Sequence, residues 1–430
     1  MPDNKNLKNS EHGSARILMP ERQQVEFREF HLDGAVPADH RVRAVWAFVE
    51  GLDLSSLYRG IGSVEGGAGR PATDPRILMA LWLYATVEGV GSARLLDRLC
   101  GENVAYEWIC GGVGVNYHTL SDFRVQNGDV LDELLTQSVA VLMKEGIVDL
   151  TRVAQDGMKV RASAGASSFR RKKTLRACKR EAREQVTALR KELHEDPAGS
   201  SRRHEAARER AAKDRLDRVK RALERAEELE KEKATRKEKQ AVRVSTTDPD
   251  ARVMKMGDGG FRPAYNVQLS SDTGSQAVVG VDVSTAGNDQ GELVPMVDQI
   301  EERYGIVPVE VLADGGYNAH SNLDALEGRT IVIAPVPQPK EATVDPYKPK
   351  ATDSPGVARW RKRMGTARAK RIYKERAATA ECVNAQVRNR GLLRFLVRGL
   401  EKVKAVALWH ALAHNMTRMI AYGMLEEAAA

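Results

Sequence analysis

Cysteine is scarce in this chain of 430 residues: Cys100, Cys110, Cys178 and Cys382 lie far apart and form no C-x-x-C pair. That spacing excludes a zinc ribbon and argues against a disulfide framework, so reduced thiols in a cytosol are expected. Long apolar runs are missing too. The most apolar helical stretch, KAVALWHALAHNMTRMIAYGML, is interrupted by Lys404, His410, His414, Asn415 and Arg418, and reads as a buried helix instead of a membrane span. The start, MPDNKNLKNSEHGSARILMPERQQ, lacks the apolar region of a signal peptide, and residues 1–39 read as a flexible polar arm. Three catalytic signatures are also absent. GDGG at 257–260 has no Lys-Ser/Thr to make a P-loop. His410 and His414 have zincin spacing, but Ala411 stands where the catalytic Glu belongs. No Ser-His-Asp arrangement or nucleophile elbow is visible.

What is present is charge. The formal net charge is +8 and the sequence pI about 9.2, an excess that suits a polyanionic partner. The length exceeds one compact core and predicts two or three units. Residues 40–148 read as all-helical: DPRILMALWLYATVEGV begins with Asp74 and Pro75 as cap and first-turn residue, followed by Ile77, Leu78, Leu81 and Tyr84 at helical spacing. SARLLDRLCGENVAYEWI and HTLSDFRVQNGDVLDELLTQSVAVLMKEG continue the pattern. Short helices between glycine turns are compatible with a helix-turn-helix-like DNA reader and equally with generic helical packing.

Near residue 147 the period changes. IVDLTRVAQDGMKVRA has β character with Asp156 inside it; AYNVQLSSD and QAVVGVDVS form a hairpin; a helix, the strand VPVEVLA, a short helix near 318–327 and the strand TIVIAPV come next. This order predicts a mixed α/β sheet. Residues 169–243 interrupt it with 26 Lys and Arg against 15 Asp and Glu, and Leu216, Val219, Leu223 and Ala226 repeat there as a short coiled-coil seam. The segment reads as a helical hairpin, either simply solvated or an arm for DNA backbone. Pro335–Lys370, with ARWRKRMGTARAKR, reads as a basic loop or linker, and the chain as helical from Arg371 to near Gly423.

Three acids stand out: Asp156 within the first strand, Asp314 ending a later one in VEVLADGGYNAH, and Glu381 in a helix after the linker. In a ribonuclease-H-like sheet the first strand and the next parallel strand are neighbours, so a carboxylate on each and one from an overlying helix would converge. Three carboxylates in one cleft repel one another, and divalent metal relieves that repulsion. Two Mg²⁺ ions, with Mn²⁺ as a substitute, would clamp the attacking and leaving oxygens of a phosphoryl transfer.

Over nearly its whole length the chain resembles the DDE transposases of bacterial insertion sequences. GRPATDPRILMALWLYATVEGVGSARLLDRL resembles their N-terminal helical domain, QDGMKVRA the first Asp motif, STTDPDARVMKMGDGGFRPAYNVQ the approach to the hairpin, and LADGGYN the second Asp motif. YKERAATAECVNAQVRNRGLLRFLVRGLEKVKAVALWHALAHNM resembles the Glu-bearing helix. The resemblance implies a helical DNA-binding domain at 40–148, a ribonuclease-H-like catalytic domain at 149–168 and 244–430, and a basic insertion at 169–243. Many relatives carry Tyr-x2-Arg-x3-Glu-x6-Lys. Here Tyr373 and Arg376 are followed by Glu381 and Arg388, one residue longer before the acid and with Arg for Lys, and Ala380 occupies the strict position of the acid. The resemblance assigns metal binding and catalysis to Asp156, Asp314 and Glu381, and the DNA backbone beside the cleaved end to Tyr373, Arg376 and Arg388. It implies binding of terminal inverted repeats, cleavage, joining of a 3′-OH to target DNA, action as a homodimer, and a bacterial cytosolic location.

Other readings stay open. Glu375 competes as the third acid. Asp258, Asp282 and Asp289 read as structural, Asp282 facing out of the hairpin and Asp289 in a turn and helix cap. Some relatives close a DNA hairpin with an inserted Trp; only Trp360, in the basic linker, is a candidate for that here. A structure-selective nuclease of the same fold, an inactive DNA-binding regulator and a basic coiled-coil scaffold are the alternatives in function.

Overall fold

The computed structural model describes residues 31–425 apart from 64–65, 67–69, 196–201 and 342, together with Gln23. Most of the arm expected over residues 1–39 therefore lies outside the described residues. The succeeding helices are set by their caps. α1 (Arg41–Glu50) and α2 (Ser55–Arg59) lead to α3 (Pro75–Val87), where the Asp74 carboxylate accepts from Arg76 N–H and Pro75 occupies the first turn. Ser92, Asn103 and Asn116 likewise cap α4 (Ala93–Glu102), α5 (Val104–Cys110) and α6 (Tyr117–Gln126). The last N-terminal segment is thus a pair of helices, α6 and α7 (Gly128–Lys144).

The sheet contains β1 (Arg152–Arg161), β4 (Arg252–Lys255), β5 (Phe261–Asp272), β6 (Val278–Ser284), β7 (Glu310–Leu312) and β8 (Ile331–Ile333). Its order is β4-β5-β1-β7-β8, with β6 also paired to β5. β5 is antiparallel to β1 and β6, whereas β7 and β8 are parallel to β1 and to each other. The helices α11 (Leu293–Tyr304) and α12 (His320–Ala325) make the crossovers that parallel pairing requires. This curled mixed sheet, flanked by helices and preceded by a helical region, is ribonuclease-H-like.

Two short strands, β2 (Phe169–Arg170) against β3 (Val244–Ser245), tie the base of the insertion. Between them run α8 (Lys172–Glu195), α9 (Arg202–Lys231) and α10 (Arg236–Ala241). α8 and α9 pack along a thin apolar seam: Leu175 meets Ala222, Leu223 and Ala226 near the base, and Val186 and Leu189 meet Ala212 farther out.

Two expectations need correction. The second half of the basic linker is helical: α13 (Pro355–Met364) starts on a Ser354 cap with Pro355 in its first turn, and α14 (Ala367–Tyr373) starts on a Thr366 cap. Trp360 is buried there and donates its indole N–H to Ala334 O at 3.1 Å, so it is not displayed for a flipped base. The helical C-terminal region is also broken. α15 (Cys382–Asn389) and α16 (Leu400–Ala421) are separated by residues 390–399, a stretch tied to the end of β1: Arg161 N–H donates to Leu393 O, and Phe395 N–H to Arg161 O.

The last helix, α16, joins the two layers. Trp409 donates to Arg124 O at 3.0 Å in the helical region, while Asn415 bonds Val278 N–H and C=O in β6. His410 and His414 are buried in this helix, where burial, together with the positive charge of Arg390, holds their pKa values down to about 3 and about 4. Both are neutral in the fold and protonate on unfolding near 6.5. Their contribution is therefore complete above about pH 6.5 and is lost as pH falls from 6.5 towards 4. At pH 5 the loss is about 2 kcal/mol per histidine. Denaturant melts at pH 7.5 and pH 5 should show it, and His410→Leu should flatten the dependence, since the His410 Nδ1 has no partner to lose. Among the described residues, no helix is long and apolar enough to cross a membrane.

Candidate active site

The parallel register of β1 and β7 brings the first two acids together. Ala154 pairs with Leu312, and each acid lies two residues beyond, Asp156 still inside its strand and Asp314 just past the end of β7. Asp314 Oδ1 accepts the Gly316 N–H at 2.7 Å and caps the short turn Gly315–Tyr317. The glycine after Asp156 and the second glycine after Asp314 stand in crowded places, where a side chain would push neighbouring polar groups aside. A Cβ at Gly157 would lie 2.4 Å from Asp289 Oδ1 and 2.5 Å from Gln268 Nε2, and one at Gly316 would lie 2.9 Å from Asp314 Oδ1.

The third acid arrives by an irregular helix. Between α14 and α15 the backbone takes a π turn over Ala377–Glu381. Such a turn absorbs one extra residue and rotates the rest of the helix by one position. It lies where the signature has its extra residue, and the outcome is visible in the side chains: Ala380 is buried at 3% exposure, while Glu381 projects outward with its side chain 58% exposed.

All three carboxylates meet one guanidinium. Arg376 Nη1 lies 2.7 Å from Glu381 Oε1, and its Nη2 lies 3.7 Å from Asp156 Oδ1 and 3.9 Å from Asp314 Oδ2. Arg376 itself is buried. Asn384, one helical turn after Glu381, donates to Asp156 Oδ2 at 3.0 Å. Burial raises the pKa of Asp156, with the Arg376 charge pulling it down and Asp314 pushing it up. A fixed cation thus answers a repulsion that burial aggravates.

The remaining candidates fall in different places. Tyr373, at the end of α14, is half-buried, and burial raises its phenol pKa. Arg388 is exposed on α15 and is not brought to the carboxylates. Glu375 points the other way: it pairs with Arg152 Nη1 at 2.5 Å, while Arg152 Nη2 pairs with Glu310 Oε2 at 2.5 Å. Asp258 bonds Arg262 in an exposed turn, and Asp282 bonds Lys404 at 2.9 Å. Asp289 accepts from Asn266 at 2.6 Å and Gln268 at 2.7 Å and pairs with Lys159 at 3.0 Å, anchoring its loop to the sheet. Asn384 was not among the residues expected from sequence, although its three-residue offset from Glu381 was a usable signal.

The donor set suits a hard divalent cation: three carboxylates, and beside them the Asn384 Oδ1, buried without a partner. Among the described residues, no three acids, His or Cys are arranged to hold an ion, and the Arg376 guanidinium lies among the three carboxylates.

Two family profiles match the chain. One, described as a transposase domain (DUF772), matches residues 30–126, and the other, a transposase DDE domain, matches residues 238–416. The second match includes Asp314 and Glu381; Asp156 precedes it, separated by the insertion. No curated protein and no solved structure matches the chain.

Proposed function

The chain belongs to the DDE transposases of insertion sequences, and from that premise we propose that it binds the terminal inverted repeats of its element, cleaves the DNA ends and joins the freed 3′-OH to target DNA. DNA is the partner of this family and divalent metal its usual cofactor. The observation that carries the finer reading is the meeting of Asp156, Asp314 and Glu381 around one buried guanidinium.

Asp156, Asp314 and Glu381 would hold two Mg²⁺ ions, or Mn²⁺ in their place, which when bound supply Lewis acidity at phosphoryl oxygens and acidify a water or a 3′-hydroxyl. The protein's own groups do the rest. Asn384 fixes the Asp156 carboxylate by its amide hydrogen bond. The π turn turns Glu381 outward, where its exposed carboxylate reaches the cleft. Arg376 carries the compensating charge while the acids are unliganded; once they are neutralised, its planar fork suits a backbone phosphate. Tyr373, half-buried beside it, offers a phenol O–H, and Arg388 an exposed charge farther along the same segment. No covalent protein–DNA bond and no ATP are needed.

Residues 40–148 would read the repeats and the α8–α9 arm would hold backbone, with two protomers bringing two ends together. The test is incubation of the full chain with labelled element ends, target DNA and Mg²⁺. Cleaved 3′ ends and joined products are expected. Cleavage without joining would favour a structure-selective nuclease, and retained binding without cleavage an inactive regulator.

A further inference from the structure

The π turn that exposes Glu381 is not held by its own helix alone. Shifting a helical ladder by one residue leaves carbonyls at the junction without an ordinary partner. Ala378 O, inside the turn, accepts the side-chain amide of Gln276 at 2.9 Å. Gln276 comes from the β5–β6 turn, more than a hundred positions earlier in the chain, and its backbone is left-handed at φ 61, which a non-glycine residue adopts only when its surroundings impose it.

Those surroundings are specific. Asp272 Oδ2 accepts from Ser275 N–H at 2.8 Å and from its hydroxyl at 2.7 Å, closing the turn. The helix α16 then clamps it from outside: Arg418 Nε donates to Ser275 O at 2.8 Å, Asn415 brackets Val278, and His414 Nε2 bonds Gln276 O at 2.9 Å. A carbonyl only accepts, so His414 carries its proton on Nε2. Its Nδ1 then accepts from Arg390 Nη1 at 3.2 Å, and Arg390 caps the far end of α15. One histidine therefore sits behind both ends of the segment that begins at Glu381.

We propose that Gln276 is a positioning residue for the metal site: its amide, aimed by a strained turn that α16 clamps, holds the π turn in the register that presents Glu381 and buries Ala380. The inference rests on the reading of Asp156, Asp314 and Glu381 as metal ligands.

Gln276→Gly is the informative variant. Glycine adopts φ 61 freely, so the turn keeps its shape and the melting temperature should hold or rise, while the amide is lost. Mn²⁺ binding to the full chain, monitored by the loss of the free-ion electron paramagnetic resonance signal, should weaken about tenfold, the usual scale for removing a group that orients a ligand. Deleting Ala380 supplies the second arm. It returns Glu381 to ordinary helical spacing after Arg376, so in that background Gln276→Gly should leave Mn²⁺ affinity unchanged. Equal Mn²⁺ affinity in wild type and Gln276→Gly, or an equal loss in both backgrounds, would overturn the positioning role. If wild type binds Mn²⁺ no better than Asp156→Asn, the metal-site reading fails as well, a result that the comparison with Gln276→Gly does not produce.

Discussion

Replacing Asp156 by Asn is expected to abolish DNA cleavage, by about 10³-fold or more, without destabilising the protein. The loss comes from the role proposed for its carboxylate: a ligand that holds ions at the phosphoryl group supplies several kcal/mol, and each 1.36 kcal/mol is tenfold in rate. The stability expectation has the opposite sign for a physical reason. Burial raises the pKa of Asp156 above its ordinary 3.8, so its charged form is disfavoured by folding and withdraws stability at neutral pH, a penalty that shrinks as the pH falls through the raised pKa and is gone only below the unfolded value of about 3.8. Asparagine keeps the shape, can still bond Asn384 and removes that penalty. Melting temperature should stay level or rise, while binding to element ends is retained. Asp314→Asn should lose cleavage to a similar degree. Cleavage that persisted in Asp156→Asn would remove the two-strand acid pair from the chemistry.

The second large effect separates Glu381 from its two rivals. Glu381→Gln should lower cleavage by about 10²–10³-fold, again from the loss of a charged ligand, with little change in stability because the side chain is more than half exposed. Glu375→Gln should do the reverse. It removes one of two carboxylates from Arg152, at a cost of about 1 kcal/mol since Glu375 is itself partly exposed, and leaves cleavage near wild type. Ala380→Glu combined with Glu381→Ala should rescue nothing, because position 380 faces a packed interior and a charge there would be buried without a partner. Cleavage assays on these variants, each paired with a melt, decide which acid is the third. Activity retained in Glu381→Gln and lost in Glu375→Gln would move the site by nearly two helical turns.

Much of the fold is written locally. The alternation that makes β1, the Asp272–Gly274 turn of the hairpin, the Asp74-Pro75 helix start and the two Asp-Gly pairs are properties of a few consecutive residues, and they point to the mixed sheet and to two candidate acids. The two helices in the basic linker were legible as well, through the Ser354-Pro355 and Thr366 caps, but the surrounding prolines and charges masked them. The reverse holds for the third acid. A one-residue excess in the signature allows Glu381, Ala380 in an unshifted register, or Glu375, and no local preference separates them.

That choice belongs to contacts far apart in sequence. Arg152 on β1 takes Glu375 away from the cleft, Arg376 gathers the acids of two strands and a helix, and Gln276 bonds a carbonyl within the π turn. Turn chemistry and hydrophobic period act over a handful of residues, so they were enough to lay out most of the elements in order and to single out Asp156 and Asp314 as candidates, but not to find the helices of the linker or the break at 390–399. Which way the Glu-bearing helix is turned depends on packing against β1, β5 and β7, because rotating a helix by one residue changes little within it and everything about what its side chains meet.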